Sequence, residues 1–219
     1  MKSTTTKYIL LILLFIISGN RTIYANDKES GIKEFWQEAY LYTSFFEKLR
    51  GEILFNNLYS RDIGNYDWFL EGKLTYPVKS WLDLELLYRH EFVDINGIKE
   101  QEYRPMFRVS GKKQIGNWKF RNRHRLEYRM FSTDDSQLRY RSDLKVKPSW
   151  NWTSVNMNPY VTGEIFVAKE KLTRTRFYGG VEAKKGRFEP AVYGLVQSDK
   201  ISGSWNNRLI IGIVLGLEL

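Results

Sequence analysis

The chain has 219 residues, a formal net charge of +9 and no cysteine. Without cysteine it forms no disulfide, carries no thiol-linked lipid anchor and uses no thiolate in catalysis. Beyond the N-terminal segment, no apolar stretch is long enough to cross a membrane as a helix, which excludes a helical inner-membrane protein.

The N-terminal segment predicts a secretory signal peptide. Lys2 and Lys7 precede an apolar run over residues 8–17, and small residues follow this run. Cleavage at the end of a leader of residues 1–25 leaves residues 26–219 as one mature domain. Because the leader carries three cations and no acidic residue, the net charge falls from +9 to +6.

Polar and apolar side chains alternate over long segments of the remaining chain. The clearest segment is 119–129, where every odd position is Lys, Arg or Glu. A period of two predicts a β-strand, and segments of about ten residues suit a tilted strand that crosses an outer membrane. In chain order the predicted strands are residues 35–46, 52–59, 66–76, 81–92, 102–112, 119–129, 139–147, 160–167, 174–182, 188–197 and 209–219.

These segments predict an all-β fold, an antiparallel up-and-down transmembrane β-barrel. The segments number eleven, whereas single-chain bacterial barrels normally have an even number of strands. We therefore expect ten or twelve strands. Either the segment 35–46 lies outside the wall, or a further strand lies near the N-terminus.

The polar face of the predicted strands is rich in arginine interleaved with Glu and Asp. Arginine keeps its charge and presents a planar fork of donors to carboxylates, so this face suits a crowded polar lumen. The lumen-lining candidates are Arg89, Arg104, Arg108, Arg121, Arg123, Arg125, Glu127, Arg129, Arg139, Arg141, Asp143, Glu164, Arg174, Arg176 and Glu182.

Several short motifs resemble one bacterial family. They are the run 121–129 (RNRHRLEYR), the triplets 139–141 and 164–166, the segment 174–180 and the segment 88–92. This pattern resembles the family called domain of unknown function 2490. The resemblance implies an outer-membrane β-barrel exported through a signal peptide, and it implies no particular activity.

The function remains open between two interpretations of the lumen. In one, the charged side chains form a structural network of ion pairs that fills the barrel. In the other, the excess of positive charge makes a narrow, anion-biased pore, with small anions as cargo. We expect no enzyme activity, cofactor or metal. The expected partners are outer-membrane lipid and lipopolysaccharide, with the barrel-assembly machinery during biogenesis, and nucleic acid is not expected.

Two alternatives accompany this interpretation. The first is an outer-membrane lipid hydrolase that uses His124 with Ser142 and Asn122, since closing the hairpin between their strands brings Ser142 near His124 on the outward face. Against it, the outer-membrane lipid hydrolases that the chain resembles carry a serine two residues after the histidine. This chain has Leu126 at that position. The second alternative is a soluble periplasmic β-sandwich with a binding role, because alternation alone does not separate a sandwich from a membrane barrel.

Overall fold

The computed structural model describes residues 32–46, 48–95, 97–150, 153 and 156–219. The predicted signal peptide lies outside these residues, and no helix within them is long and apolar enough to cross a membrane. The described chain forms eleven strands: β1 (Ile32–Phe45), β2 (Leu49–Ser60), β3 (Gly64–Lys79), β4 (Leu82–Ile95), β5 (Ile98–Ile115), β6 (Trp118–Phe131), β7 (Gln137–Pro148), β8 (Asn158–Ala168), β9 (Lys171–Glu182), β10 (Phe188–Ile201) and β11 (Ser204–Glu218).

These strands close into one barrel in which each strand pairs with its neighbours in the chain and β1 pairs with β11. Pairs of consecutive strands are antiparallel, as in β1 with β2, whereas β1 and β11 run parallel. The predicted all-β barrel is therefore confirmed. The segment 35–46, which the even-number expectation left in doubt, belongs to the wall as β1.

The expected strand number of ten or twelve is wrong for the described residues, which form eleven strands. Strands that alternate in direction bring the first and last strands together antiparallel only when their number is even. With eleven, these two strands point the same way, and a parallel ladder has to close the wall. That ladder runs from Ile32 opposite Leu209 to Tyr42 opposite Glu218, with a register shift between Ile32 and Glu34.

The two ends of the barrel differ in their connections. The end that we call the loop rim carries the connections 46–48, 80–81, 116–117, 149–157 and 183–187, together with Leu219. The opposite end, the turn rim, carries the start of β1 and connections of five residues or fewer. At the turn rim, for example, β10 and β11 are joined by Ser202 and Gly203, both at positive φ, which suits a tight hairpin.

Side chains alternate between the two faces of the wall. Apolar side chains such as Leu86, Leu126 and Phe177 lie outside and are about half exposed, whereas the charged side chains beside them in sequence point into the lumen. Because the described residues form one closed sheet, no second sheet covers this apolar stripe. The sandwich alternative therefore does not describe the fold.

Apolar side chains also fill part of the lumen. Trp36, Leu58, Phe69, Leu195 and Ile210 form a buried cluster inside the wall made by β1, β2, β3, β10 and β11. These side chains lie nearer to the turn rim than to the loop rim. They narrow the lumen on one side, so the remaining space runs beside the charged strands.

Candidate functional site in the barrel lumen

A cavity of about 1440 Å³ occupies the lumen. Thirteen of the fifteen lumen candidates line it, namely Arg89, Arg104, Arg108, Arg121, Arg123, Arg125, Arg129, Arg139, Arg141, Glu164, Arg174, Arg176 and Glu182. The other two, Glu127 and Asp143, lie against the inner wall, where arginines bond to them. The lumen is thus the place where the charged face of the chain collects.

The exposure of the β6 side chains shows where the lumen narrows. From the loop rim inwards, the exposed fraction of the side chain falls from 35% at Arg121 to 22% at Arg123, 6% at Arg125 and 0% at Glu127. It rises again to 20% at Arg129, near the turn rim. The lumen therefore has two accessible mouths and a tight middle.

We call this tight middle the belt. Its members are side chains from the four strands β5, β6, β8 and β10 that are almost fully buried in the lumen. The belt consists of Arg104, Arg125, Glu127, Glu164, Phe166 and Gln197.

Glu127 is the central acceptor of the belt. Arg139 Nη2 lies 2.5 Å from its carboxylate, while Arg125 and Arg141 approach its other oxygen only to 3.5 and 3.9 Å. Arg141 also pairs with Glu164, which accepts a further hydrogen bond from Tyr178 at 2.9 Å. Since buried charges are tolerated when they are paired, this network explains how so many ionised groups occupy the interior.

The apolar ring of Phe166 packs against the arginines of this network. Its ring lies under four guanidinium groups, with centroid distances between 4.8 and 5.6 Å to Arg139, Arg141, Arg174 and Arg176. Cations are attracted to the face of an aromatic ring, and the attraction is stronger where water is excluded. A single neutral side chain of the belt thus contacts four cations that lie around it.

Towards the turn rim the ion pairs are saturated. Arg104 binds Glu91 at 2.9 Å and Glu102 at 2.6 Å, and Arg129 binds both oxygens of Glu102 at 2.7 Å. Arg89 donates two hydrogen bonds to Glu71. The three arginines Arg89, Arg104 and Arg129 are thus matched in charge by the three carboxylates of Glu71, Glu91 and Glu102.

Towards the loop rim the cations outnumber the carboxylates. Arg123 Nε binds both oxygens of Asp143 at 2.8 and 2.9 Å, and Lys145 and Lys147 share the single carboxylate of Glu182. Arg121 reaches Asp143 only at 4.0 Å. In the adjacent connection, the pKa of Lys184 is raised because it donates a 2.6 Å hydrogen bond to Glu189.

Charges of opposite sign collect on different parts of the wall. The lumen side of β1 to β4 carries mainly carboxylates: Glu34, Glu38, Glu52, Asp67, Glu71, Asp83, Glu85 and Glu91. The lumen side of β5 to β7 carries mainly cations: Arg104, Arg108, Lys112, Lys119, Arg121, Arg123, Arg125, Arg129, Arg139, Arg141, Lys145 and Lys147. The most cationic strand, β6, lies five strands from β1 and therefore faces this acidic strand across the lumen.

Sequence reasoning did not identify the neutral part of this site. Phe166 and Gln197 lie on the correct face of their predicted strands, but nothing in their spacing marks them as members of a constriction. The aromatic side chains Trp36 in β1 and Phe69 in β3 were also missed, because an apolar residue on the lumen face interrupts the alternation of polar and apolar residues. Within the described residues, no group of three or more His, Cys, Asp or Glu side chains is placed to hold a metal ion.

The outer wall brings His124 and Ser142 together. They are direct partners in the β6–β7 ladder, and Ser142 Oγ lies 3.2 Å from His124 Nδ1. The hydroxyl of Tyr140 lies 2.5 Å from the same nitrogen, however, so two hydroxyls compete for it. Asn122 pairs with Leu144 in the ladder and forms no hydrogen bond with His124.

A closed β-barrel with a charged interior and an apolar outer wall is the architecture of outer-membrane barrel proteins, and the fold and the lumen of this chain resemble that class. A family model also matches the chain. It matches residues 33–188 and is described as "Protein of unknown function (DUF2490)". The chain belongs to this family.

Two solved structures are similar to the barrel. LpxR from Salmonella typhimurium superposes with a TM-score of 0.51 at 6% sequence identity, covering 78% of this chain and 83% of that one. The match to an anion-selective porin from Comamonas acidovorans has 10% sequence identity and covers 78% of this chain and 55% of the porin chain. Its TM-score of 0.38 supports no conclusion. At these identities the likeness concerns the fold alone. No curated protein sequence matches the chain.

Proposed function

We propose that this protein is a bacterial outer-membrane barrel whose ion-pair belt keeps the lumen nearly closed, and whose remaining path prefers anions. In this proposal the protein is exported by its signal peptide, and lipid covers the apolar outer stripe. The observation that carries the proposal is the fall in exposure from both mouths towards Arg125 and Glu127, next to a wall with an excess of cations. Fixed positive charge in a narrow channel attracts anions and repels cations.

The test is to open the belt without changing its charge. Phe166 is 1% exposed and neutral, so Phe166→Ala removes bulk from the constriction and removes none of its charged groups. We expect purified wild-type protein to give a small current in a planar bilayer, and Phe166→Ala to give a larger one that reverses towards the chloride equilibrium potential.

Ile165→Ala is the matched control, because this neighbouring side chain points outwards and is 43% exposed. Its current should equal that of the wild type. The same compact, heat-shifted band on a gel should be present in all three proteins. A cation preference, or silence of both wild type and Phe166→Ala at high voltage, would exclude an anion path.

A second candidate function is lipid ester hydrolysis on the outer wall. The specific observation is the 3.2 Å contact between Ser142 Oγ and His124 Nδ1 on the face that lipid would cover. A histidine beside a serine can accept the hydroxyl proton and activate it for attack on an ester. Tyr140 weakens this candidate, since its hydroxyl lies closer to the same nitrogen.

Esterase activity measured on protein in lipid tests this candidate. If Ser142 is the nucleophile, Ser142→Ala and His124→Ala each abolish hydrolysis. Ser198→Ala, on the distant strand β10, should leave it unchanged. Activity that survives Ser142→Ala would have to come from another source.

A further inference from the structure

The loop-rim mouth holds a cluster of cations that the barrel does not neutralise. We call the cluster the vestibule and define it by Lys119, Arg121, Arg123, Lys145 and Lys147. The register places them side by side, because Arg121 pairs with Lys145, and Lys119 pairs with Lys147, across the β6–β7 ladder. Like charges directly opposite each other destabilise a sheet, so this arrangement has a cost.

Among the described residues, only two carboxylates contact these five cations. Asp143 is engaged by two hydrogen bonds from Arg123 Nε, and Glu182 is shared by two lysines. Lys119 forms no ion pair with any described residue. The vestibule therefore has a formal charge of +3 at a point that the mouth leaves accessible.

Arg121 is the residue that most clearly lacks a partner. Its Nε is buried and has no hydrogen-bond acceptor, and the nearest carboxylate oxygen lies 4.0 Å from its Nη2. A buried donor without an acceptor is costly, and an arginine fork fits two oxygens of a phosphate group. The turn-rim arginines differ, because Arg104 and Arg129 have all their charge matched by Glu91 and Glu102.

We propose that the vestibule binds a phosphate group, held by the guanidinium of Arg121 and by the ammonium groups of Lys119 and Lys147. The ligand is a small phosphate-bearing anion or the phosphate of a lipid headgroup that reaches the mouth. This inference rests on the proposed function and adds the chemical class of the anion, a phosphate, that enters the lumen. Binding at the mouth does not require the belt to open.

The test measures binding of inorganic phosphate to the full-length processed protein in a neutral detergent, at constant ionic strength with gluconate as the balancing anion. We expect saturable binding that Arg121→Gln weakens by about tenfold, the loss expected when one charge-assisted contact is removed. Lys119→Gln, at the exposed mouth, should weaken it as well and covers the case in which Arg121→Gln does not fold.

Lys99→Gln is the control, because it removes one exposed charge from the opposite rim. Its affinity should match the wild type. A second arm uses a short-chain phosphatidate in place of inorganic phosphate. Binding of the phosphatidate alone, weakened by Arg121→Gln, identifies a lipid headgroup as the source, and binding of both identifies the free phosphate group as sufficient.

Absence of binding in both arms overturns the proposal, as does equal weakening by Arg121→Gln and Lys99→Gln. The outcome is separable from the conductance test. Phosphate binding by a barrel that passes no current would support the phosphate site in the vestibule and contradict the pore. Current without phosphate binding would support the pore and contradict the phosphate site.

Discussion

Two tyrosines in the lumen fit against glycines on the neighbouring strand. A Cβ atom added to Gly212 would lie 2.0 Å from the ring of Tyr193, and one added to Gly216 would lie 2.2 Å from the ring of Tyr40. Both distances are far below van der Waals contact. These glycines are therefore explained by the space they leave for a ring, since neither has a positive φ.

Gly212→Ala should destabilise the barrel, because the added methyl group displaces the Tyr193 ring from a buried position. We expect a loss of about 1–3 kcal/mol in the free energy of unfolding, the usual cost of overpacking. Unfolding by denaturant in lipid vesicles measures it.

Gly194→Ala provides the comparison for this substitution. Gly194 adjoins Tyr193 in β10, but a Cβ added there meets nothing within 4 Å. The two variants change the chain in the same way and differ only in the space available. Equal stabilities for both would show that the ring moves aside at no cost.

At the scale of the strands, the alternation of side chains predicted much of the barrel. All eleven segments are strands, and the structure extends most of them by a few residues, as in β5, which runs to Ile115. The closure was not predictable in the same way. The even-number rule describes barrels whose first and last strands pair antiparallel. Nothing in the sequence of Ile32–Phe45 indicates that this strand pairs with β11 in parallel.

The pairing of charges was also beyond the sequence. Alternation predicts that Arg121, Arg123 and Arg125 share a face, but it does not give their partners. The partner depends on the stagger between strands, which places Asp143 opposite Arg123 and Arg141 opposite Arg125. Because of that stagger, Arg123 faces a carboxylate, whereas its neighbour Arg125 on the same face is opposite another arginine.

The parallel seam predicts where the two ends of the wall lie. The start of β1 is at the turn rim, and Leu219 is at the loop rim. In a membrane, an epitope inserted directly before Ile32 and one appended after Leu219 should lie on opposite sides. Antibody access in intact cells measures this, and we expect exactly one of the two epitopes to be reached.

Detergent-permeabilised cells should expose both epitopes and show that each is intact. An epitope in the connection at Gly203 should behave like the one before Ile32, since both are at the turn rim. If the two terminal epitopes share one side, the wall contains an even number of strands and the seam is antiparallel.

At the scale of the whole molecule, burial and charge are arranged in different directions. Burial varies along the barrel, from the open mouths to the belt around Glu127. Charge varies around it, from the carboxylates of β1 to β4 to the cations of β5 to β7. The belt is the narrowest part of the lumen, and the charges on the wall determine the electrostatic potential inside it.

This separation of charge has a consequence for any solute in the lumen. Opposite signs on facing walls produce an electric field perpendicular to the barrel axis. Salt weakens such fields over about 8 Å at physiological ionic strength, but a constriction holds little electrolyte. A solute with separated positive and negative groups would therefore rotate until its anionic end points towards β6. In the proposed function, such a field would discriminate between solutes by their molecular orientation as well as by their net charge.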